Sequence, residues 1–232
     1  MEKQPTQQYY KGGIVKPTII QEYKKLYCGL IYDVMKFDMK LDNFVIPRSA
    51  GPIIPAWNFG GNVFGKAFTA VGQKVPDPNE TVIREMIDDL QQDSVYILQA
   101  NDNSRAHFGD ITAKFLQRAG VQGAIIQGWT RDIEQIEKSG FKIWCKGVQP
   151  QDSFDRWHIV DYNSTIVVGN IFIKPTDYLF ADRDGVLVIP FEHIDEILAL
   201  ALVRKKKEDK IRSILDDDSL SAKEIYEKIG RW

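Results

Sequence analysis

Three charged residues stand out by type and spacing. Asp110 follows a glycine in "GDIT", and Arg131-Asp132 closes "GWTRD" after an interval of twenty residues. Carboxylates are hard oxygen ligands suited to Mg²⁺ or Mn²⁺. A guanidinium is a planar fork for an anionic oxygen pair. If each group also sits at a helix start, free N–H groups and a partial positive end lie beside it. Together they would hold a small anion next to a divalent metal. The same residues admit a plainer reading. An aspartate at a helix start caps the helix and suits its dipole, and Arg–Asp neighbours are common on surfaces. The residues alone leave both readings open.

The intervening elements decide whether the three residues can meet. "SVYILQA" reads as a buried strand over 95–100, and "ITAKFLQRAG" as a helix over 111–119 stopped by Gly120. "GAIIQG" reads as a strand over 123–127, and "RDIEQIEKSG" as a helix over 132–139. That order is a βαβα unit. Loops after parallel strands share one edge of the sheet, where α/β proteins bind ligands. Asp110 and Arg131-Asp132 are therefore expected side by side.

The rest of the chain reads as support. Residues 1–17 are a polar arm, and 18–42 carry a helical pattern with Leu26, Leu30, Ile31, Val34 and Met35 near one face. "VFGKAFTAVG" alternates like a strand. "NETVIREMIDDLQQD" is expected as a helix capped by Asn79. "FKIWCKG", "STIVVGNIFI" and "YLFADRDGVLVIP" are strands, with "DRDG" a hairpin turn and not a calcium loop. A long helix over 191–214 and a last helix capped by Ser221 complete the chain. With no internal repeat or composition break, 18–215 is one α/β domain, and 216–232 is a helical tail.

Composition narrows the function classes. The chain has 232 residues, 44% of them hydrophobic and 27% charged, with a formal net charge of -2. That balance fits an ordinary globular protein and argues against a general nucleic-acid binder. His107, His158 and His193 lack zinc-ligand spacing. Cys28 and Cys145 are far apart, and Cys145 in "KIWC" reads as a buried small hydrophobe. No transmembrane run or signal core is present, so the expectation is a reduced, cytoplasmic protein.

The D-x20-R-D spacing resembles the RraA-like family, which includes the regulator of ribonuclease activity A and the 4-hydroxy-4-methyl-2-oxoglutarate aldolases. "LYCGLIYDVM", "GGNVFGKAFTA", "RAHFGDIT", "VQGAIIQGWTRDIEQI" and "FIKPTDYLFADRDGVLVIP" follow the family's segments in its order, over roughly residues 20–215. The resemblance implies an α/β/α sandwich similar to the swivelling phosphohistidine domain, assembled as a homotrimer or hexamer. It implies a divalent-metal-dependent lyase, an aldolase or oxaloacetate decarboxylase, acting on a 2-keto acid through a metal-stabilised pyruvate enolate. On that pattern Asp132 ligates Mg²⁺ or Mn²⁺, and Arg131 binds the keto oxygen. The N–H groups of Asp110, Ile111 and Thr112, after Gly109, hold the substrate carboxylate. Asp110 hydrogen-bonds a water on the metal. The motif contains no lysine for a Schiff base. The family also implies two alternatives: a non-catalytic regulator of the ribonuclease-inhibitor type, and a keto-acid dehydratase or isomerase on the same site.

Departures from the family pattern point to pocket differences. His107-Phe108 stand where an apolar–Trp pair is usual, with His107 expected as a loop residue at the pocket rim. Gln127 replaces a common aspartate, and Thr176 a glycine. Trp129 is bulky and is expected to alter the substrate pocket. Asp33 reads as a helix-end acid. Glu208 in "RKKKEDKIR" reads as part of a solvated, salt-bridging face.

Overall fold

The computed structural model describes residues 15–47, 53–56, 60–74, 81–154 and 156–230. The central sheet runs β1 (Ile54–Pro55), β6 (Lys142–Val148), β5 (Gly123–Thr130), β3 (Ser94–Gln99), β2 (Val63–Lys74), β10 (Tyr178–Ala181) and β11 (Val186–Ile189). β2, β3, β5 and β6 are mutually parallel. β4 (Ala106–Phe108) adds parallel to the end of β5, and β7 (Trp157–Tyr162) adds antiparallel to the end of β2.

Side-chain parity along β2 shows how the layers form. Phe64, Phe68 and Ala70 face the helices, while Val63 and Ala67 face the other way. Over Phe68 lie α3 (Ile83–Asp88), α4 (Asp110–Arg118) and α5 (Ile133–Ser139), through Met86, Leu116 and Ile136. Over Phe64 lie α1 (Pro17–Tyr23), α2 (Cys28–Asp33), which runs on into a π-helical turn Val34–Asp38, and α6 (Ile194–Leu215). Opposite, the hairpin of β8 (Ile166–Val168) and β9 (Ile171–Ile173) packs Ile166, Val168, Ile171 and Ile173 against Val95, Ile97, Ile125 and Trp144. Each such fully buried side chain contributes about 1.5–3 kcal/mol. The result is a mixed α/β fold built on a curled sheet.

Several local expectations are met for clear reasons. Gly120 ends α4 with φ 80°, and Val121 N–H bonds Leu116 C=O at 3.0 Å. "DRDG" is the β10–β11 turn, closed by Asp182 N–H to Gly185 C=O at 3.1 Å. Ser221 and Glu224 form a capping box at the head of α7 (Ala222–Ile229). Cys145 is buried, which pushes its thiol up to about 11. Among the described residues no helix is long and apolar enough to cross a membrane.

Other expectations need correcting. "STIVVGNIFI" is a hairpin and not one strand, because Gly169 adopts φ 68° and turns the chain. α3 starts at Ile83, and Asn79, its expected cap, lies outside the described residues. Neither β4 nor β7 was expected, and both flank the site.

Candidate active site

β4 and β5 end together, with Phe108 opposite Thr130 in parallel register. α4 leaves from the end of β4, and α5 from the end of β5. One acceptor ties the two exits. The Phe108 carbonyl receives the Thr130 hydroxyl at 2.9 Å and the Arg131 N–H at 3.0 Å. Asp110 and Arg131-Asp132 therefore border one open cleft of about 760 Å³, together with Gly109, Ile111 and Thr112. The sequence-derived residues are brought together. The far wall is Thr81, Ile83, Arg84 and Glu85 at α3 with Trp157, His158 and Ile159 of β7, and Asp152, Ser153, Phe154 and the three residues of β4, His107 included, also line the cleft.

The capping explanation for the two aspartates does not hold. The N-cap of α4 is Gly109, with no side-chain cap, and Asp110 is the first helical residue. The first helical bond of α4 runs from Ala113 N–H to Gly109 C=O at 3.0 Å. The preceding N–H groups of Asp110, Ile111 and Thr112 are the ones an uncapped helix leaves for a ligand. Asp132 stands at the N-cap of α5, yet its side chain makes no cap bond there. Its backbone is left-handed, φ 60° and ψ 35°, a conformation that favours glycine and is tolerated by aspartate. Oδ2 of Asp132 instead lies 3.4 Å from Arg131 Nε. Arg131 Nη1 is 3.7 Å from Asp152 Oδ2. The guanidinium and the Asp132 carboxylate remain 40% and 37% exposed, so both can meet a ligand.

The donors fit one class of metal. Among the described residues no three His, Cys, Asp or Glu side chains converge into a ready cage. The cleft offers the carboxylates of Asp132 and Asp110. Mg²⁺ and Mn²⁺ accept such a set, because they keep several waters and take one or two carboxylates. Structural zinc would need four ligands of nitrogen or sulfur type.

A family model described as RraA-like, Aldolase/RraA, matches residues 31–188. The chain belongs to this family. A protein named "Putative 4-hydroxy-4-methyl-2-oxoglutarate aldolase" from Halalkalibacterium halodurans is 29% identical over 169 residues, 73% of this chain and 79% of its own. Protein DlpA of Legionella pneumophila is 25% identical over 143 residues, 60% of this chain but only 23% of DlpA. The match thus spans less than a quarter of DlpA. Among solved structures, one described as of novel cellulases from gut-associated microbes superposes with a TM-score of 0.78 at 26% identity, covering 90% of each chain. Streptomyces coelicolor RraAS2, described as an unusual member of the RNase ES inhibitor family, has a TM-score of 0.74 at 20% identity, covering 86% of this chain and 98% of its own. That likeness speaks for the fold.

Residues peripheral to the motif fall into place in this RraA-like chain. His107 is not on a rim loop. It lies in β4, its imidazole has no exposed surface, and Nε2 sits 3.0 Å from Asp102 Oδ2. An imidazole so enclosed does not reach a substrate as a base. Trp129 packs its ring over Gly147 of β6 and is not among the described residues lining the cleft. Asp33 ends α2 and lies 3.5 Å from Arg204. Glu208 pairs with Arg212 at 2.7 Å and accepts the Tyr27 hydroxyl, so this acid serves a clamp between α6 and the start of α2. The α3 helix of the far wall is legible in "NETVIREMIDDLQQD", but sequence reasoning missed β7, whose only signal was the alternation of Trp157 and Ile159 in "WHIVDY".

Proposed function

We propose that this chain is a divalent-metal-dependent carbon–carbon lyase acting on a 2-keto acid, by aldol cleavage or by decarboxylation of an oxaloacetate-type acid. The observation that carries the reading is the uncapped start of α4, facing a cleft beside two aspartates that cap nothing and an exposed arginine. Most other helix starts among the described residues also lack a side-chain cap. What sets α4 apart is that its free N–H groups border a cleft beside a guanidinium, which suits an anionic ligand.

The chain's own groups divide the work. The N–H groups of Asp110, Ile111 and Thr112 bind the carboxylate next to the keto group, aided by the helix dipole. Arg131 donates to the keto oxygen. Its help grows as the C–C bond breaks and that oxygen gains charge, which makes it a transition-state interaction. Asp132 and Asp152 hold the guanidinium from two sides. Asp132 would also hold the metal, with Asp110 reaching it through water. When bound, the cation supplies Lewis-acid stabilisation of the same developing charge. Asp110 is the carboxylate we assign to take up, through water, the hydroxyl proton released in aldol cleavage. Decarboxylation gives the same pyruvate enolate without that proton, so one site serves both reactions.

The test is pyruvate release from a panel of 4-hydroxy-2-keto acids and oxaloacetate, with and without Mg²⁺. Metal-dependent release from any member supports the lyase. Its absence across the panel returns the chain to the regulator class.

A further inference from the structure

At the base of the cleft, apart from Asp110, Arg131 and Asp132, lies a buried histidine–aspartate pair. Asp102 Oδ2 is 3.0 Å from His107 Nε2, and both side chains are buried. Asp102 is itself fixed. It accepts the Ser104 N–H at 3.2 Å and the Ser104 hydroxyl at 2.8 and 2.9 Å, and Lys74 Nζ lies at 3.1 Å. An ionised carboxylate only accepts, so His107 is the Nε2–H tautomer and donates. Its Nδ1 is buried and has no partner among the described residues. That nitrogen lies against Gly128 of β5, where an added Cβ would fall 2.7 Å away. On another side the ring meets Trp157 of β7, with centroids 4.7 Å apart. Trp157 is pinned in turn, its indole N–H donating to Ala100 C=O at 2.6 Å.

His107 is one residue ahead of Phe108, whose carbonyl sets the backbone of Arg131. It is two ahead of Gly109, the N-cap of α4. β4 itself is only three residues long. So short a strand has few ladder bonds, and its position depends on what grips its side chains. We infer that the His107–Asp102 bond is a lock that fixes β4, and with it both Arg131 and the anion-binding start of α4. His107 is a positioning residue. The imidazole touches no substrate, and it acts through Phe108 and Gly109.

The Nε2–H donor is present in the neutral and the charged ring alike, but a second proton on Nδ1 would face Gly128 with no acceptor among the described residues. The charged groups around the ring are Asp102 of the β3–β4 loop, Lys74 of β2 and Lys146 of β6. Gly128 of β5 and Trp157 of β7, which also lie against the ring, bring no charge. Burial pushes the ring below its usual value, against the pull of Asp102, and both lysines add to the downward push.

That the lock serves catalysis rests on the lyase reading; that it fixes β4 does not. The experiment therefore reads both. Amide hydrogen exchange of full-length protein is measured at Arg131, whose N–H bonds Phe108 C=O, and at Ile97 and Ile125 in the core. His107→Leu should speed exchange at Arg131 by about tenfold or more and leave the core amides unchanged. His107→Gln, whose amide can replace the Nε2–H donor, should restore protection. kcat for pyruvate release should follow the same order, falling about tenfold or more in His107→Leu with KM little changed, as for other outer-shell partners. If His107→Leu does not fold, Asp102→Asn keeps the volume and reads the same bond. Faster Arg131 exchange in the variants, together with a wild-type protein that releases no pyruvate, upholds the lock and removes the lyase. Unchanged Arg131 exchange in both His107→Leu and Asp102→Asn overturns the lock.

Discussion

Gly109 lies directly under the carboxylate of Asp132: a Cβ added at 109 would fall 2.7 Å from Asp132 Oδ2. Its φ of −152° is open to any residue, so backbone strain is not the reason for glycine. The space is needed by the aspartate. Gly109→Ala should fold normally yet push Asp132 from its place beside Arg131. Turnover should fall by about 10²-fold, the cost of an ångström-scale displacement at a reacting centre. Pyruvate release alongside a melting curve checks this. Normal turnover would mean that the Asp132 position is immaterial.

The proposed metal dependence rests on the carboxylates of Asp132 and Asp110. EDTA should remove activity, and Mg²⁺ or Mn²⁺ should restore it. Asp132→Asn should not be rescued. Asparagine tolerates the same left-handed backbone, so the variant should fold. Full activity in protein shown to be metal-free by elemental analysis would contradict the metal's role.

The pH dependence of stability has a definite sign. Burial lowers the folded pKa of His107 below its unfolded value. Its stabilising share is complete above the unfolded value, about 6.5, and is lost as pH falls toward the folded one. Asp102 is shifted down as well. Burial opposes its charge, but Ser104, Lys74 and His107 together outweigh burial. Its share is lost only below the ordinary carboxylate range. Between about pH 7 and 5, wild-type Tm should therefore drop, and His107→Gln should flatten the drop. Parallel Tm–pH curves for the two proteins would remove His107 as the cause.

Large apolar side chains crowd the cleft rim. Ile111 is 69% exposed and Phe154 77%, with Phe115 half-exposed on α4 nearby in sequence. Clustered exposed apolar surface marks a binding face. Together with the assembly that the family resemblance implies, it leads us to propose a homotrimer or hexamer. Light scattering at micromolar concentration should give three or six times the chain mass, and Ile111→Lys should lower it. A wild-type monomer would contradict the expectation.

Much of this site was legible in the sequence because a parallel sheet turns spacing into proximity. A strand–helix–strand interval put Asp110 and Arg131-Asp132 at the same sheet edge. Residue type did not reveal whether an aspartate caps its helix. That depended on Gly109 taking the N-cap of α4 and on the left-handed turn at Asp132. β4 is too short to show a period, and it became visible only as the partner of Thr130. "WHIVDY" does alternate, but its place against β2 depends on a long return of the chain. His107 and Asp102 meet through a loop, where no periodicity applies. The hairpin lies within an apolar run, and its only cue is the short Gly169-Asn170 turn pair.

The central claim is that Arg131 stabilises charge that appears only as the bond breaks. Arg131→Lys keeps the charge and loses the planar fork between Asp132 and Asp152. The measurement is kcat and KM for pyruvate release, with Tm for each protein. We predict a fall in kcat of about 10²-fold or more, a smaller change in KM and an unchanged Tm. Near-normal kcat with a lowered Tm would contradict it, and would make Arg131 a structural partner of its two carboxylates.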